Sequence, residues 1–148
     1  MTPDTQAHAF VLALEWNAVS LSEIVSWADE RILEEAHPSE TLISLSLANN
    51  TSVAVSALNQ LAANPCLHDS SRIAFKYLLR GLRANLFTYE QISKFLYDLA
   101  LRQIAPDSTA ESYMHSYWDE LDLANAGVFG DPSNVKQEIL NFLIGYAA

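Results

Sequence analysis

Cysteine is nearly absent: the 148-residue chain holds one, Cys66. No intrachain disulfide can form, and a reducing, cytoplasmic setting is the expectation. Glycine is scarce too, with four residues, which argues against a loop-rich β fold and against low complexity. Bases are few: eight Lys and Arg stand against eighteen Asp and Glu, for a net charge of −10. That balance argues against nonspecific nucleic-acid binding and against anionic membranes, since both need net attraction to phosphate. The chain lacks a Walker loop, a G-x-G-x-x-G, a C-x-x-C and a Ser/His/Asp nucleophile signature, so neither an enzyme nor a cofactor is expected. No basic stretch followed by an apolar run opens the chain, and no secretory signal is expected.

The longest stretch without charge is 41–67. A membrane span is not expected there, because Asn49, Asn50 and Thr51 sit in its middle and Ser44, Ser46, Ser56, Asn59 and Gln60 interrupt the rest. A buried segment, or a face that hides in a homo-oligomer, fits it better.

What is present is helical punctuation around apolar stripes. Half the residues are hydrophobic, enough for a sizeable core in a chain of this length. Thr2 with Pro3 starts a first helix, and Ser20 with Glu23 is a capping-box pattern for a second, over 21–36. Pro38 starts a short third helix; the alternation Ile43-Ser44-Leu45-Ser46-Leu47 also suits a strand, but a lone strand has no partner in the chain. Asn50 and Thr51 open a fourth helix, which Asn64-Pro65 ends. Residues 66–70 read as a loop, followed by a central helix over 70–87. Thr88 with Gln91, Ser108 with Glu111 and Asp131 with Pro132 open three more, and Gly127 is a left-handed stop. The expectation is one compact all-α domain over 1–148, of seven to eight helices.

Charge is unevenly placed: residues 1–71 carry nine acids and one base, 72–102 two acids and six bases, 103–148 seven acids and one base. In the basic middle, Arg72, Lys76, Arg80 and Arg83 fall within roughly 80° of one another at about 100° per residue. Arginine forks bind carboxylates or phosphates, so this seam pairs with an acidic helix of the same chain or receives an acidic partner. On the 108 helix, Glu111, His115, Asp119 and Asp122 share a face, and Glu111, His115 and Asp119 at four-residue spacing are candidate ligands for a divalent metal. Cys66 and His68 are candidates for an activated thiol, with a half-buried structural cysteine as the plainer reading. Tyr113, Met114, Tyr117, Trp118 and Leu121 are expected to face inward, with Trp118 and Trp27 near polar borders. Acids crowd the end of the second helix, where they oppose the macrodipole at a cost of about 0.3–1 kcal/mol each. Glu30, Glu34 and Glu35 there, with Asp119, Glu120 and Asp122, are the expected contacts for a basic partner.

The run Ser22-Glu23-Ile24-Val25-Ser26-Trp27-Ala28-Asp29, with Leu42-Ile43-Ser44-Leu45-Ser46 beyond the His37-Pro38 break, resembles small bacterial immunity-type proteins encoded beside polymorphic or contact-dependent toxins. The resemblance covers about the first 60 residues. It implies a protein that binds and neutralises a cognate toxin; with the acidic surfaces above, the expectation is a cover over that toxin's basic face, a nuclease being one candidate. A metal-dependent enzyme or regulator and a structural homo-oligomer are the alternatives.

Overall fold

The computed structural model describes residues 2–148 and is all-helical, with eight helices among the described residues. They group into two compact units, Met1–Cys66 and Leu67–Ala148.

The first unit holds α1 (Pro3–Glu15), α2 (Leu21–Glu34), α3 (Glu40–Ser46) and α4 (Thr51–Leu61). α1 packs on α4, α4 on α3 and α3 on α2. Small residues, Ala7 and Ala13 of α1 with Ala54 and Ala57 of α4, are buried. Short side chains at a helix contact let the axes approach closely. Phe10, Leu12, Ile24, Leu45 and Leu58 fill the core. Trp27 is half-buried and meets the Phe10 ring edge-on at 5.4 Å. The hydroxyl of Ser46 donates to Asp29, tying α3 to α2, and Thr41 Oγ1 donates to Gln60 Oε1 at 3.3 Å, tying α3 to α4. The alternating segment at 43–47 is the end of α3 with its C-cap Leu47, with Leu42 and Leu45 buried and Ile43 and Leu47 exposed. Its cap is Ser39, whose hydroxyl accepts from the Leu42 amide, so the helix starts two residues after Pro38 rather than at it. The uncharged stretch is therefore α3, a turn and α4. No helix among the described residues is long and apolar enough to cross a membrane.

The second unit holds α5 (Leu67–Arg83), α6 (Tyr89–Leu101), α7 (Ser108–Asn125) and α8 (Pro132–Tyr146). α5 packs on α6 and α8, α7 packs on α6 and α8, and α6 also touches α8. Phe142 of α8 gathers an aromatic cluster: its centroid lies 5.4 Å from Phe75, 5.5 Å from Tyr117 and 5.0 Å from Tyr146. One ring thus joins α5, α7 and α8.

Other boundaries also differ from the sequence reading, which carries the second helix to 36 where α2 ends at Glu34. The expected loop at 66–70 is largely the first turn of α5, which begins at Leu67. Asp69 suits that turn electrostatically, and the Ser71 hydroxyl donates to the His68 carbonyl at 2.6 Å. α7 is capped by Asp107, which accepts from the Ala110 amide at 2.7 Å, and Ser108 is its first helical residue. Asp and Ser are equally good caps, and the one in extended backbone takes the role; Asp107 has φ −161°. α5 ends at Arg83, so Leu86 lies beyond the helix and is exposed rather than part of its apolar arc.

The other termini follow the expected chemistry. Thr88 and Gln91 form both halves of a capping box, and Asp131 caps α8 with Pro132 at the first position. Gly127 is left-handed at φ 72°, and Val128 N donates back to the Leu123 carbonyl, closing a Schellman turn.

Candidate functional site

An open groove of about 670 Å³ lies between α6 and α7. α6 supplies Glu90, Ser93, Lys94 and Tyr97; α7 supplies His115, Trp118, Asp119, Asp122 and Asn125. In each helix these positions recur at three- and four-residue steps, which places them on a single face. The capping box at Thr88 sets where α6 begins, and the Asp107 cap does the same for α7.

Aromatic rings form one wall. Tyr97 meets Trp118 at 5.2 Å and 62°, and meets the His115 imidazole at 5.9 Å and 84°. Trp118 keeps 40% of its surface exposed. The Lys94 ammonium lies over the Trp118 ring, 5.5 Å from its centroid. Toward the other end, Asn125 Nδ2 donates to Glu90 Oε1 at 3.2 Å. The Glu90 carboxyl is held below its ordinary range, first by a backbone N–H and then by Asn125 and Lys136. It therefore remains a carboxylate at neutral pH. The lining includes three acids, Glu90, Asp119 and Asp122, against one lysine.

Asp119 and Asp122 are thus brought to one groove. Glu120, between them in sequence, is exposed and excluded from the lining, where Ser116 Oγ lies 3.4 Å from its Oε2. Glu30, Glu34 and Glu35 are exposed at the C-terminal end of α2 in the first unit, with Arg31 paired to Glu34 at 3.3 Å. The α6 side of the groove was not singled out in sequence. Its signal was the polar-aromatic stripe at 90, 93, 94 and 97, which by itself resembles any solvated helix face.

The proposed metal ligands do not assemble. His115 Nε2 reaches Glu111 Oε1 only at 4.0 Å, and among the described residues no three His, Cys, Asp or Glu side chains are placed to hold a metal ion. Tyr113 and Trp118 do not face inward as expected: they are 51% and 40% exposed, flanking the buried stripe of Met114, Tyr117 and Leu121. Residues one or three places from a stripe lie at its margins, where periodicity alone does not fix the side.

The basic seam rests on tyrosines. Arg72 lies over Tyr146 at 5.6 Å, and Lys76 and Arg80 lie over Tyr77 at 5.5 and 4.9 Å. Cys66 is exposed rather than half-buried, and its amide donates to Thr5 Oγ1 at 3.1 Å. His68 Nδ1 is bonded to the Ala105 carbonyl at 2.8 Å, a structural role that anchors the start of α5. That bond places the ring proton on Nδ1.

No family model matches the chain, and no curated protein or solved structure matches it either.

Proposed function

We propose that the protein is an immunity-type binder that neutralises a basic bacterial toxin by covering its positive face, and that the α6–α7 groove is the centre of the contact. The observation that carries this reading is the exposed Trp118 ring set in a groove whose lining includes three acids against one lysine. Tryptophan at the centre of a concave patch is a common anchor of protein interfaces. Carboxylates around it steer a positively charged partner and penalise a negative one. Glu30, Glu34 and Glu35 offer a second acidic surface on the other unit, and Glu120 flanks the groove. The cost of placing acids at the end of α2 supports a role for them outside the helix. The cytoplasm is the proposed compartment.

The test is capture from the source cell with tagged protein, eluted by rising salt, followed by co-expression of the captured protein with and without its binder. A basic protein that is toxic alone and harmless with wild type is the expected result. Asp119→Lys with Asp122→Lys should abolish both capture and protection. Unchanged capture after reversal of all six acids, Glu30, Glu34, Glu35, Asp119, Glu120 and Asp122, would overturn the reading.

A further inference from the structure

We infer that the α6–α7 groove is an arginine subsite, in which a partner's guanidinium replaces Lys94 over the Trp118 ring and pairs with Asp119 and Asp122. The inference rests on the binder reading and names the chemical group recognised at that surface.

The first support is the cation already there. Lys94 Nζ sits 5.5 Å from the Trp118 centroid, so the ring face holds positive charge in the unbound protein. Lys94 is exposed and on a flexible stem, so it can leave the ring without disturbing the core. The second is the wall: Tyr97 packs edge-on against Trp118 at 5.2 Å and holds the indole in place. A fixed ring costs little ordering on binding. The third is the placement of Asp119 and Asp122 in the same lining as Trp118.

These features favour arginine over lysine. A guanidinium is planar, stacks on an indole, and offers its fork to carboxylates bidentately; an ammonium does none of these. Guanidinium is also the more weakly hydrated of the two, so less is lost when it enters a partly enclosed groove. The groove is partly open to solvent, so a side chain projecting from a folded partner can reach it. In this arrangement Lys94 is a competitor: it covers the ring until a better cation arrives, and its removal strengthens binding.

The test uses the full chain and two peptides, hexa-arginine and hexalysine, with the Trp118 indole N–H followed by NMR and affinity by calorimetry. Hexa-arginine should shift the Trp118 resonance and bind more tightly than hexalysine, by about 2–5-fold, the size of an exposed cation–π contact. Trp118→Leu should erase that preference while leaving the salt-dependent binding of hexalysine. Lys94→Met should raise hexa-arginine affinity more than Arg83→Met, which removes the same charge outside the groove. Equal affinity for the two peptides, or a preference that survives Trp118→Leu, would overturn the inference. So would equal gains from Lys94→Met and Arg83→Met. Those results leave the capture experiment intact, whereas a confirmed arginine preference with no captured toxin would sink the immunity reading alone.

Discussion

Gly81 lies under the ring of Phe87. A Cβ built on Gly81 would stand 2.4 Å from Phe87 Cε2 and 2.6 Å from Cδ2. The same ring meets Phe95 edge-on at 5.5 Å. Gly81→Ala would ordinarily gain about 1 kcal/mol of helix propensity in α5. Here the ring must shift to make room, and overpacking of this kind costs about 1–3 kcal/mol. A net loss of up to about 2 kcal/mol is expected in urea unfolding. In a Phe87→Ala background the clash is gone, and the same glycine substitution should become neutral or stabilising. A double-mutant cycle reads the difference directly. Destabilisation of equal size in both backgrounds would show that the ring is not the reason for the glycine.

Three of the left-handed helix ends are carried by residues other than glycine: Asn17, Asn85 and Gln103, with φ of 55°, 58° and 58°. Each follows a Schellman pattern, and at Gln103 the bonds are Ile104 N to Leu99 O at 2.9 Å and Gln103 N to Ala100 O at 3.0 Å. Asparagine tolerates this conformation through local hydrogen bonds, whereas glutamine has no such relief. Gln103→Gly should therefore stabilise the protein by about 0.5–1 kcal/mol, with a smaller gain for Asn85→Gly. The signature is a higher urea midpoint at unchanged slope. A lower midpoint for Gln103→Gly would mean that the greater entropy of the unfolded glycine chain outweighs the relieved strain.

Helix ends were legible because capping is local chemistry. Thr88 and Gln91, or Asp131 and Pro132, need no distant partner to act, and the structure uses them as read. Where two good caps adjoin, as at Asp107 and Ser108, the sequence does not choose; the backbone conformation does. The left-handed ends at Asn17, Asn85 and Gln103 are not legible in the sequence because glycine is their usual mark. The groove was half legible. Asp119 and Asp122 stood out as charges, but the stripe of Glu90, Ser93, Lys94 and Tyr97 gains meaning only when α7 lies beside it. The metal reading failed for a related reason: four-residue spacing places Glu111, His115 and Asp119 on one face without closing a ligand shell among them.

Tyr117 gives the protein an alkaline limit. It is buried in α7, stacked on Tyr113 at 6.0 Å and edge-on to Phe142 at 5.5 Å. Burial raises its hydroxyl well above the ordinary value of 10, and the charges of Glu138 and Glu120 push the same way. Above pH 10 the unfolded chain releases this proton while the folded chain keeps it. The folded state then binds more protons, so stability is fully present below the unfolded value and falls as pH rises past it. The urea midpoint of wild type should drop between pH 9 and 11, chosen as values about one unit either side of the free tyrosine range. Tyr117→Phe should flatten that drop. An identical decline in the variant would assign alkaline sensitivity to other groups.

Met114 and Trp118 mark the buried and exposed sides of one helix. They are four residues apart on α7, yet Met114 is fully buried and Trp118 is 40% exposed. Met114→Ala opens a cavity and should cost about 2–5 kcal/mol. Trp118→Leu loses the edge contact with Tyr97 and the Lys94 cation and should cost about 1–2.5 kcal/mol. The binding readout should invert that order. Under conditions where Met114→Ala remains folded, it should retain the arginine preference that Trp118→Leu loses. If Trp118→Leu proved as destabilising as Met114→Ala, the indole would be part of the core and its exposed face incidental. If it left both stability and recognition untouched, the groove would be a furrow between helices with no ligand to hold.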